Sequence, residues 1–156
     1  MSRMRVVLLV LTGLLGTGAV LAGPAADSAA TTTRTKALRD GWPDTPAGLI
    51  GYGWVDAFAR GEQEMGAFYA AHLPAEALAK RPLKDRLANY QKLRDRYGAL
   101  ELTEVVESKR TELTVRLLAE DATRHTFVFT VEKEAPHRLV SVSIREPHAG
   151  HGFGHH

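Results

Sequence analysis

The side chains best suited to chemistry are the four histidines of PHAGHGFGHH: His148, His151, His155 and His156. Neutral imidazole binds zinc, copper or nickel, and the glycines between them would let several rings converge. A specific site also needs carboxylates or carbonyls that orient each ring through its other nitrogen. No carboxylate follows Glu146. Residues 147–156 are therefore expected to form a solvated His/Gly-rich tail, with metal binding through those histidines as the alternative.

Other reactive patterns are missing. No serine has a lysine three residues on, and Gly-x-Ser-x-Gly, His-Glu-x-x-His and the phosphate-cradling glycine loop are absent. Hydrolysis by those routes is excluded, and no cofactor is implied. The formal charge is +2, from 20 basic and 18 acidic side chains, and the first 22 residues contribute Arg3 and Arg5 but no acid. Without them the chain is neutral. A nucleic-acid binder concentrates basic side chains on one face. Lys80, Arg81, Lys84 and Arg86 do cluster, but they read as a solvated helix start.

Those first residues have the order of an export signal. MSRMR is positive, VVLLVLTGLLGTGAV is apolar and glycine-broken, and Val20-Leu21-Ala22 offers small residues for cleavage. The apolar run, about 15–18 residues, is short for a span, so a cleaved leader over 1–22 is expected rather than a stable membrane anchor. The product would be periplasmic or secreted. The absence of cysteine excludes disulfides and a lipoprotein anchor. Residues 23–44, small and polar without apolar period, read as a linker.

A folded domain is expected over 45–146. Thr45 and Pro46 suit a helix start, and Ile50, Trp54, Ala57 and Phe58 recur at helical spacing. Gly51 and Gly53 weaken that helix but permit close approach of another element. Met65, Phe68, Tyr69 and His72 share one face of a second helix. Pro74 opens a short helical piece around Leu78. Pro82 then starts a helix striped by Leu83, Leu87, Tyr90, Leu93 and Tyr97 and stopped by Gly98.

After Gly98 the period becomes two. LELTEVVES, ELTVRLLA, RHTFVFTVE and HRLVSVSIRE read as four antiparallel strands with one packed and one wetter face. Leu113, Val115 and Leu117 share the packed face of the second strand, with Phe127, Phe129 and Val131 on the third. Val140, Val142 and Ile144 are expected there on the fourth. Leu100 and Leu102 fall out of phase with Val105, which predicts a bulge at Thr103-Glu104. Helices first and a meander after make an α+β fold, three N-terminal helices packed on one face of a curved four-stranded antiparallel sheet.

Three stretches carry a family resemblance: TPAGLIGYGWVDAFARGEQEMGAFYAAHL, RPLKDRLANYQKLRDRYGALELTEVVES and FVFTVEKEAPHRLVSVSIRE. Together they resemble a bacterial nuclear-transport-factor-2-like (cystatin-like) domain, more narrowly the accessory module ahead of secreted serine hydrolase or tail-specific peptidase domains. The likeness rests on Thr45-Pro46-Ala47-Gly48, Phe58 with Gly61, Arg81-Pro82, Arg86-Leu87, Gly98 and Pro136-His137-Arg138. It covers residues 44–146. The sequence stops where the catalytic domain would begin.

The resemblance implies a cone, a curved sheet wrapped around helices over a pocket. Ring-bearing polar residues on apolar faces then become candidates for its lining: Tyr69, His72, Tyr90 and His125. The competing reading is that their rings fill core while their tips find backbone or water. Asp56 and Tyr52 could serve as an acid–tyrosine pair of an isomerase or dehydratase, although Asp56 lies off the apolar stripe. His137-Arg138 reads as a turn exit, with an anion clamp as the alternative. The expected function is an exported, non-enzymatic binding or interaction module. Its partner would be a small apolar ligand between helices and sheet, or a protein. A homodimer would form through the open face bearing Thr114, Arg116, Thr126 and Thr130.

Overall fold

The computed structural model describes residues 39–146. The expected leader, much of the expected linker and the four tail histidines lie outside them. Among the described residues four helices precede a four-stranded antiparallel sheet: α1 Pro46–Arg60, α2 Glu62–His72, α3 Ala75–Lys80 and α4 Leu83–Tyr97, then β1 Leu100–Ser108, β2 Glu112–Ala119, β3 Arg124–Val131 and β4 Leu139–Arg145. The strands follow in sequence order as an open meander. The short piece after Pro74 is a helix in its own right, α3, which makes four helices rather than three. It buries no side chain, which is why apolar spacing announces it so weakly.

Thr45 caps α1, its hydroxyl accepting from the Gly48 N–H at 3.0 Å, with Pro46 at the first helical position. The helix lies across β1, β2 and β3. Gly51 allows this: a Cβ there would sit 2.8 Å from the Leu113 Cδ2 of β2. Trp54, Phe58, Phe127 and Phe129 form the centre of the core, with Trp54 stacked on Phe58 at 5.2 Å and edge-on to Phe129 at 5.7 Å. Such aromatic pairs contribute about 0.5–1.5 kcal/mol beyond their buried area.

The end of α1 is tied to α4 rather than to solvent. The Phe58 carbonyl accepts the Tyr90 hydroxyl at 3.1 Å and Arg94 Nη1 at 3.1 Å. The exposed side of α4 carries Lys84, Asp85, Gln91, Lys92 and Asp95, as the periodicity predicts.

Thr103 is left unpaired between Leu102↔Leu117 and Glu104↔Arg116, where the phase break predicts a bulge. Its hydroxyl donates to the Arg116 carbonyl at 3.0 Å. Val106 is a second unpaired residue of β1, between Val105↔Val115 and Glu107↔Thr114, and a third irregularity lies in β4; the alternation predicts neither. Thr130 pairs with Ser141 but Val131 pairs with Leu139, so Val140 is the extra residue. The slip turns Leu139 inward, 3% exposed, and Val140 outward, 57% exposed. Alternation alone places Val140 on the packed face with Val142 and Ile144; the bulge reverses it.

Candidate functional site

Because α1 covers β1–β3, the inner side of β4 is left to α2 and α4, which do not close over it. Val142 and Ile144 stay half-buried. A cavity of about 180 Å³ results, walled on the apolar side by Leu73, Leu93, Leu139, Val142 and Ile144. For scale, a dry cavity of roughly 150 Å³ takes a benzene.

The polar wall consists of Trp54, Tyr69, Arg81, Arg86, Asn89 and Ser141. Trp54 is 2% exposed, and its Nε1–H is buried without a hydrogen-bond acceptor. Leaving such a donor dry costs about 1–3 kcal/mol. Burial raises the Tyr69 hydroxyl above the usual tyrosine range; the Trp54 indole, then Arg86 and Arg81, pull it back. The Tyr69 hydroxyl oxygen is thus the acceptor nearest the Trp54 N–H, although the pair does not close into a full hydrogen bond.

Arg86 is held by carbonyls at the C-terminal end of α3. Nη2 donates to the Ala77 oxygen at 2.7 Å and Nε to the Arg81 oxygen at 3.0 Å. A guanidinium has five N–H donors, so donors remain for the cavity. Among the described residues no carboxylate forms an ion pair with Arg81 or Arg86. The lining given by the described residues contains neither carboxylate nor imidazole.

Of the residues expected to line a pocket, Tyr69 lines this one. Tyr90 is a core side chain, its hydroxyl spent on the Phe58 carbonyl. His72 is half-buried against the Phe68 ring at 4.6 Å, and burial lowers its pKa. His125 lies elsewhere, edge-on to Tyr97 at 4.8 Å. The Thr123 hydroxyl donates to Asp121 Oδ1 at 2.6 Å, so its oxygen accepts from His125 Nε2 at 2.7 Å. His125 Nδ1 lies 3.5 Å from Glu146 Oε2 without forming a hydrogen bond. The four residues do not converge.

No family model, curated protein or solved structure matches the chain.

Asp56 and Tyr52 share a different cleft with Trp42, Val55 and Leu102. Asp56 is bound by Arg60 at 3.0 Å one helical turn away, so its charge is already partnered. Burial and then Asp56 raise the Tyr52 pKa. Trp42, in the stretch read as linker, packs on Tyr52 at 6.2 Å and against the core. His137 sits at φ 57 in the turn before β4, its Nδ1 bonded to the Glu132 carbonyl at 2.9 Å, as a turn exit requires. Among the described residues no three His, Asp or Glu side chains are grouped to hold a metal.

Trp54 and Arg86 were the residues missed as site candidates. Trp54 fits the core stripe so well that nothing marks its N–H as unpartnered. Arg86 did carry a signal: Leu83, Pro82, Asn89 and Tyr90 occupy its helical neighbour positions, and none is an acid.

Proposed function

We propose that the chain is an exported, non-enzymatic binding module of the nuclear-transport-factor-2-like type, its helices and sheet forming a cone over the Trp54–Tyr69 cavity. The observation that carries this reading is the buried Trp54 N–H, without a completed hydrogen bond, on a cavity with one polar and one aliphatic wall. A buried donor left unsatisfied calls for an explanation, and on a cavity wall a ligand atom or a water supplies one. The helix-then-meander order supports the fold type, and the basic, apolar, small-residue order of 1–22 supports export. Against an isomerase or dehydratase stands the Arg60 ion pair that already partners Asp56 in the cleft it shares with Tyr52; Tyr69 lines a different cavity. The test is a fragment screen read by the Trp54 indole N–H resonance in ¹⁵N spectra. Fragments of benzene to hexane size should move it, and the Val142→Trp variant, which fills the cavity, should abolish the shift. A resonance unmoved by any fragment sinks the reading.

A second reading, self-association, draws support from the outer sheet face. Thr114, Arg116, Thr126 and Thr130 lie on the register positions facing away from the helices. Glu101, Glu104 and Glu107 line the β1 side, while Arg124 and Arg145 lie on β3 and β4. A second copy turned about a two-fold axis would set the acids of one β1 against the arginines of the other. Light scattering on the protein and its Arg116→Glu variant tests this; a mass of one chain for both refutes it.

A further inference from the structure

In the part of the cavity nearest α3 and α4, hydrogen-bond donors outnumber acceptors. The Trp54 N–H is buried without a completed hydrogen bond, and among the described residues no carboxylate pairs with the guanidiniums of Arg81 and Arg86. The Tyr69 hydroxyl and the Asn89 amide can donate as well. An aliphatic wall from β4 and α4 faces them. Such an arrangement repels cations and wastes its donors on a hydrocarbon. It fits an acceptor-only head on a short apolar body.

Resting on the small-ligand reading above, we infer that the ligand is a small monocarboxylate of about six to ten non-hydrogen atoms, the size set by the cavity volume against known apolar cavities. The carboxylate lies against Arg86, the better oriented of the two arginines. Arg86 is pre-positioned, because the Ala77 and Arg81 carbonyls fix its plane before any ligand arrives. Guanidinium and carboxylate form paired, charge-assisted hydrogen bonds that an ammonium does not reproduce. The hydrocarbon body runs along Leu93, Val142 and Ile144.

The test uses hexanoate, its uncharged isostere hexanamide, and acetate, titrated into the full chain while the two indole N–H signals are followed. Trp42→Phe assigns the Trp54 signal. Hexanoate should bind at least tenfold more tightly than hexanamide and than acetate. Arg86→Met should weaken hexanoate at least tenfold and hexanamide far less, with an otherwise unaltered spectrum certifying the fold. Arg86→Lys should recover only part of the loss. Equal binding of hexanoate and hexanamide would overturn the carboxylate assignment and leave the cavity reading standing. Acetate binding as tightly as hexanoate would overturn the apolar body. Silence of all three probes at Trp54 would overturn the inference; fragments that still bind in the wider screen would leave the cavity reading intact.

Discussion

The Phe58 carbonyl sits near the end of α1, where the helix can no longer supply an amide donor, and it is buried under α4. Two side chains from α4 take the amide's place, Tyr90 through its hydroxyl and Arg94 through Nη1. Tyr90→Phe removes one donor and keeps the ring edge-on to Phe58 at 5.4 Å, so it should cost about 0.5–1.5 kcal/mol. Arg94→Met removes a charged donor and should cost about 1.5–3 kcal/mol. Either variant leaves the carbonyl with one partner. The double variant leaves it with none, and the desolvation penalty of a buried orphan, about 1–3 kcal/mol, appears only there. The double variant should therefore exceed the sum of the singles by about 1 kcal/mol or more. Urea denaturation followed by tryptophan fluorescence measures this, and each 1 kcal/mol corresponds to roughly 4–8 °C in Tm for a domain of this size. Additivity within about 0.3–0.5 kcal/mol would show that water reaches the carbonyl and that the two donors do not share one buried acceptor.

Leu139→Ala should cost about 2–5 kcal/mol and Val140→Ala almost nothing, as read from urea midpoints; equal costs would refute the bulge. Gly98 has φ 63, and a Cβ there would run into the Glu120 side chain. Gly98→Ala should destabilise by about 1–3 kcal/mol, and an unchanged midpoint would show the turn relaxing freely. Burial lowers the His72 pKa in the folded chain, so below the unfolded value, about 6.5, the unfolded state binds more protons. The stabilisation is present above that pH and is lost as pH falls through the lowered folded value. His72→Gln should make the urea midpoint less sensitive to pH between about 7.5 and 5, and an unaltered slope would assign that sensitivity to other groups.

Periodicity located the elements wherever one face is wet and the other dry. Thr45-Pro46, Gly98 and the out-of-phase Leu102/Val105 each announced a boundary or bulge through local backbone chemistry, and the structure has them there. α3 was faint because a six-residue helix with no buried side chain has no stripe to show. The candidate site was less legible. Tyr69 was found because a polar ring on an apolar face stands out. His125 and Tyr90 stand out equally, yet one bonds to Thr123 and the other to Phe58. Residue type told which side chains are amphipathic but not which had already found a partner.

The β4 slip shows why the site was the harder part. LVSVSIR reads equally well in two registers, Val140-Val142-Ile144 inward or Leu139 with the last two. Only the pairing of Val131 with Leu139 decides between them, and that depends on the turn after β3, where His137 takes φ 57. The choice matters because Leu139 then forms part of the cavity's apolar wall, and Val140 turns its side chain outward at the cavity rim. A strand's alternation is a local property, fixed by the chain itself. A cavity is made by what neighbouring elements leave uncovered: α1 spans three strands rather than four, and the unspanned strand sets the shape of the space beside Trp54.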